Sequence, residues 1–118
     1  MFAVPSGSPL NVTLTTVNPT SARLQWDPPA IRHRNGAIVL YEIMYRLDMN
    51  FIDDYTTNTS DTWIVVEGLQ PATDYHFQIR AYTAKGSGQW SDPLLVHTTI
   101  PRSKNKLVTN SIPNTILI

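Results

Sequence analysis

At 118 residues the chain is long enough for one domain and too short for two. Nine Lys and Arg balance nine Asp and Glu, which removes the electrostatic case for nucleic acid. The absence of cysteine excludes disulfide frameworks, metal ribbons and thiol catalysis.

Apolar residues at 42% suffice for a core, and no apolar run reaches the roughly 18 residues of a membrane helix, so direct membrane insertion is not expected. Met1-Phe2-Ala3-Val4-Pro5 has neither the basic start nor the apolar stretch of a leader, so an exported chain is expected to carry its signal elsewhere. Pro5-Ser6-Gly7-Ser8-Pro9 reads as a stiff, polar lead-in of the kind that joins domains. Leu10, Val12 and Leu14 then alternate with Asn11, Thr13 and Thr15, a period of two that predicts a first strand with Asn11 facing water. After a turn at Val17-Asn18-Pro19-Thr20, Ala22, Leu24 and Trp26 alternate with Ser21, Arg23 and Gln25 in a second strand. Trp26 falls inward, where its ring adds a large apolar area and its indole N–H needs an acceptor.

Asp27-Pro28-Pro29 stops that strand, and residues 31–36 form a loop with Asn35-Gly36 as its turn. In the third strand Tyr41, Ile43 and Tyr45 share one face and Glu42, Met44 and Arg46 the other. Tyr55-Thr56-Thr57 is predicted as a short edge strand. Trp63-Ile64-Val65-Val66 is a fifth strand, with Ile64 and Val66 inward beside Leu69.

In Gly68-Leu69-Gln70-Pro71-Ala72-Thr73-Asp74-Tyr75, Pro71 interrupts the ladder and forces a turn. Tyr75, Phe77, Ile79 and Ala81 then alternate with His76, Gln78, Arg80 and Tyr82, giving a sixth strand with one buried face. A Tyr entering a strand after such a corner buries its ring and ties its hydroxyl to the backbone upstream. Lys85-Gly86-Ser87-Gly88-Gln89 reads as a Gly-rich hairpin loop, and Leu94, Val96 and Thr98 alternate with Leu95 and His97 in a seventh strand. No stretch has helical periodicity. An all-β, seven-stranded, immunoglobulin-like sandwich is expected, its core holding Trp26, Tyr41, Ile43, Tyr45, Leu69, Tyr75, Phe77 and Ile79.

The chain resembles a fibronectin type III domain over about residues 5–99. The resemblance is carried by Pro9, Leu24-Gln25-Trp26-Asp27-Pro28-Pro29, Gly36 before Tyr41-Glu42-Ile43-Met44-Tyr45-Arg46, and the corner from Gly68 to Tyr75. It continues through Phe77-Gln78-Ile79-Arg80-Ala81 and Gly86-Ser87-Gly88-Gln89-Trp90-Ser91-Asp92-Pro93. The loops are similar to repeats of receptor tyrosine phosphatases, Eph-type receptors and sidekick-like adhesion proteins. The resemblance implies that the first, second and fifth strands face the other four. Residues 9–99 would be the domain, 1–8 a lead-in and 100–118 a tail or linker.

The resemblance also implies a non-catalytic spacer and protein-interaction module, without cofactors, in a larger cell-surface receptor or adhesion protein. Its expected place is the extracellular side of the plasma membrane, or a secreted protein. Its expected partners are proteins and the adjacent domains of the same chain. The alternatives are an intracellular, muscle-scaffold-like module and an accessory domain of a secreted enzyme. A cytokine-receptor module is disfavoured, because Trp90-Ser91 is only half of the Trp-Ser-x-Trp-Ser motif. That half motif nevertheless places Trp90 to stack on Arg80.

No catalytic or metal constellation emerges. His76 and His97 take outward positions on neighbouring strands without a third ligand, and Asp48, Asp53 and Asp54 lack the spacing and glycine of a calcium loop. Asn11-Val12-Thr13 and Asn58-Thr59-Ser60 are glycosylation triplets, the first on a strand and the second in a predicted loop. Arg46, Arg80 and Trp90 on the sheet, with Arg32 and Arg34 in the second loop, are the candidate partner-binding residues. Trp63 and Met44 also take outward parity. The apolar end of the tail, Thr115-Ile116-Leu117-Ile118, is a candidate for weak self-association or for pairing with a sheet edge.

Overall fold

The computed structural model describes residues 3–48 and 54–101. The expected pairing of Thr115-Ile116-Leu117-Ile118, and Asp53 of the acidic loop, lie outside the described residues.

Eight strands form two sheets: β1 (Leu10–Val17), β2 (Ser21–Asp27), β3 (Leu40–Leu47), β4 (Tyr55–Thr59), β5 (Trp63–Glu67), β6 (Asp74–Thr83), β7 (Gly86–Ser87) and β8 (Leu94–His97). A three-stranded sheet has the order β1-β2-β5. The second runs β4-β3-β6, with β7 and β8 both paired to β6. This is the expected two-layer sandwich, with the last strand divided in two. The division has a local cause. After β7, the Ser91 N–H donates to Ile79 O, but the Ile79 N–H donates to the Ser91 hydroxyl at 2.9 Å rather than to a backbone carbonyl, so a side chain substitutes for the ladder. The hairpin turn is Ala84-Lys85, earlier than the glycines suggest, because Gly86 and Ser87 already pair with Thr83 and Tyr82.

The inward rows close over one another as the period of two requires. Leu24, Ile43, Phe77 and Ile79 are fully buried between the sheets, each contributing roughly 1.5–3 kcal/mol of apolar burial. Trp26, Tyr41, Leu69 and Tyr75 join them, whereas Tyr45 is only partly buried. Tyr45 stacks on Phe77 on one side and Tyr55 on the other, at 5.2 and 5.5 Å between centroids. Trp26 meets Tyr41 edge-on at 5.4 Å. The expected acceptor for the Trp26 indole N–H is not found among the described residues, where the group is buried without a hydrogen-bond partner.

Two departures come from β1. Asn11 has φ 54°, and the β1–β2 register slips between Leu10 and Thr13. The bulge turns Leu10 outward, leaving it 44% exposed, so the alternation expected from Leu10 onward starts only at Val12. The lead-in is also built into the domain. The Ala3 N–H donates to Asn35 O, Ser6 N–H to His33 O, the Thr83 hydroxyl to Ala3 O and the Asn35 side chain to Val4 O. Pro5 is buried beneath these contacts.

At the opposite end of β6, Tyr75 anchors the turn before it. Its hydroxyl accepts the Gln70 N–H at 2.7 Å. Thr98, fully buried, donates its hydroxyl to Gln70 O and accepts from the Thr73 N–H. The corner therefore joins the three-stranded sheet, which it leaves after β5, to β6 and β8 of the other.

Candidate interaction face

The outer face of the five-stranded sheet is assembled by register. Glu42 of β3 lies opposite Arg80 of β6, and Arg46 lies opposite His76. The Arg80 guanidinium donates to Glu42 Oε1 from Nε at 2.7 Å and from Nη2 at 2.6 Å. The Tyr82 hydroxyl donates to the same oxygen at 2.9 Å and accepts from Arg80 at 3.2 Å. Trp90, carried by the segment between β7 and β8, lies over the guanidinium at 4.2 Å. Arg80 is thus sandwiched between a carboxylate and an aromatic face, which holds a planar, always-charged group in one orientation. The expected Arg80–Trp90 stack is present.

The other candidate residues are spread out. Arg46 shares the outer face and approaches Asp54 at 3.7 Å. Arg32 and Arg34 belong to the loop between β2 and β3, where residues Ile31–His33 make a 3₁₀ turn. Arg34 is half-buried and donates to Pro29 O at 2.8 Å, so it shapes the loop. Arg32 is exposed and donates to His33 Nε2. The structure brings Arg80 and Trp90 together but does not gather all five residues into one patch.

His76 and His97 do not face each other, because the register sets His76 opposite Leu95 and His97 opposite Asp74. Each has its own carboxylate, Asp48 for His76 and Asp74 for His97. Among the described residues, no group of three His, Asp or Glu is placed to hold a metal ion.

Asn58 belongs to β4, not to a loop, opposite Glu42 on the outer face. Asn11 donates its amide to Asp27 Oδ2 at 2.8 Å. Sequence reasoning did not identify Glu42 as the partner of Arg80, although both have outward parity on strands that pair. It also missed a second stack, Arg23 over Trp63 at 4.9 Å, on the outer face of the three-stranded sheet.

In the core, burial raises the Tyr41 phenol above the ordinary value of 10.0, an effect that Arg34 opposes and Asp27 reinforces. Burial raises Tyr45 as well, helped by Tyr75 and Tyr55.

A family model described as "Fibronectin type III domain" matches residues 7–97. Receptor-type tyrosine-protein phosphatase F of Danio rerio is 41% identical over 95 residues, which are 80% of this chain and 5% of that protein. Neogenin of Homo sapiens is 37% identical over 97 residues, 80% of this chain and 7% of that protein. The chain therefore spans a small fraction of the length of the curated relatives it matches. Among solved structures, the FN5 domain of Drosophila Lar is 32% identical, with a TM-score of 0.66 over 81% of this chain and 98% of that one. Domains A168-A170 from titin are similar in fold, at 23% identity and a TM-score of 0.73 over 81% of this chain and 32% of that one.

Proposed function

Because the chain belongs to the fibronectin type III family, we propose that it is a non-catalytic, extracellular spacer and protein-interaction module of a larger cell-surface receptor or adhesion protein. The observation that carries this reading is its likeness to receptor-type phosphatases and neogenin, matched over only 5–7% of their length, as one module of many would be. Residues 9–99 are the module, with 1–8 as lead-in and 100–118 as tail or linker.

The geometry supports a role by surface complementarity. Arg80 is held rigid by Glu42, Tyr82 and Trp90, so the outer face presents a prearranged aromatic and charged surface at little entropic cost. Leu95, 59% exposed, extends that face at the β8 side. Arg46 shares that face, the loop bearing Arg32 and Arg34 is a separate surface, and proteins and neighbouring domains are the partners.

The test is topological. An antibody raised against residues 9–99 is applied to intact cells expressing the full-length parent. Staining without permeabilisation is expected; staining only after permeabilisation would overturn the reading.

A further inference from the structure

We propose that Asn58 is an N-glycan acceptor, an assignment that rests on the extracellular reading above. Asn58-Thr59-Ser60 has the required triplet, and the fold presents it openly. β4 ends the five-stranded sheet, so among the described residues one edge of it has no neighbouring strand. On this strand Tyr55 and Thr57 share the face of Tyr45 and Ile43, their register partners, which sends Thr56 and Asn58 to the outer face. Asn58 is exposed, and its amide makes no hydrogen bond among the described residues. Ser60, which supplies the hydroxyl of the triplet, is exposed in the bend where β4 ends.

The other triplet is placed differently. The Asn11 amide is committed to Asp27, its backbone sits in a left-handed bulge, and Thr13 bonds to Gln25 O. Asn11 also lines a groove of about 330 Å³ walled by Asp92 and Pro93.

The reaction transfers an oligosaccharide from a lipid diphosphate donor of the secretory pathway. The Nδ2–C1 bond forms as the C1–O bond breaks. The electron pair leaves with the lipid diphosphate, and the amide proton passes to a base of the transferase. A glycan here stands at the free edge of β4, beside Glu42. Trp90 lies beyond β6, toward the opposite edge, so its surface stays open. A bulky, solvated group on an edge strand also discourages pairing with another chain.

The test uses the full 118-residue chain, secreted from mammalian cells behind a cleavable signal peptide. Intact mass and peptide mapping are read before and after treatment with an amidase that removes N-glycans. A glycopeptide containing Asn58 is expected, with that mass lost in Asn58→Gln and in Ser60→Ala, and occupancy equal or higher in Ser60→Thr. An unmodified Asn58 in the secreted chain would overturn the assignment. Forced secretion presents the triplet to the transferase whatever compartment the parent occupies, so a bare Asn58 condemns the site alone. Staining of the parent only in permeabilised cells condemns the extracellular reading instead.

Discussion

The Tyr75 hydroxyl accepts the backbone N–H of Gln70 across the turn that carries the chain from one sheet to the other. The ring is buried at 3% exposure, so the hydroxyl is held where the N–H needs it. Tyr75→Phe leaves that donor without its partner, and the expected cost is about 1–3 kcal/mol. Urea denaturation measures it. The midpoint falls while the slope stays the same, because the fold and the buried area are retained.

The Arg80 sandwich is expected to behave as a unit. Both Arg80 and Glu42 are less than a third exposed, so their pairing is worth more than that of a surface ion pair. A double-mutant cycle with Glu42→Gln and Arg80→Met should return a coupling of about 1–2 kcal/mol. Trp90→Leu keeps an apolar cover but removes the aromatic face, and a loss of about 1 kcal/mol is expected. A cycle giving additive losses would show that Glu42 and Arg80 act independently.

Alkaline pH should weaken the fold through Tyr41 and Tyr45. Their folded-state phenols titrate above the ordinary 10.0, so the unfolded chain loses these protons first. Their contribution is complete below about pH 10 and declines as pH rises through the folded values. Denaturation midpoints measured from about pH 8 upward should stay level in this respect and then fall above about pH 10. Tyr41→Phe should make the alkaline fall shallower.

Two glycine substitutions separate crowding from backbone strain. A Cβ on Gly88 would lie 2.7 Å from Pro5 Cβ and 2.8 Å from Pro5 O, too close for either to stay. Gly88→Ala is expected to cost about 1–3 kcal/mol and to displace the lead-in. Amide exchange at Ala3 and Ser6, whose N–H groups bond to the loop between β2 and β3, should speed up. Gly68 has open space around it but φ +77°. Gly68→Ala should therefore cost about 1 kcal/mol through conformation alone, with exchange at Ala3 and Ser6 unchanged.

The sheet architecture was legible wherever one face of a strand is buried. Between Tyr75 and Ala81 a slip of one residue would expose Tyr75, Phe77 and Ile79 together, so the alternation defines both strand and face. The corner was equally legible, because a Pro and a strand-entry Tyr at that spacing leave few alternatives. The bulge at Asn11 was not: a single left-handed residue leaves no periodic trace, and Leu10 looks as inward as Val12 until the register is known. The site was half legible. Parity placed Arg80 outward, but its carboxylate partner, 38 residues away in the chain, depends on the pairing of β3 with β6. The hairpin was misplaced for a related reason, since glycines permit a tight turn without requiring one, and the ladder to Thr83 and Tyr82 outweighed them.

The hydrogen bonds of Ala3 and Ser6 fasten the incoming chain near the β6–β7 turn, while those of Thr98 and Thr99 fasten the outgoing chain at the corner, at the other end of β6. Tension applied through the two ends therefore runs along the strands. It reaches a few short fastenings at each pole before it loads the sheets. At the incoming end that fastening is the strap formed by Ala3 and Ser6, with Pro5 buried between them.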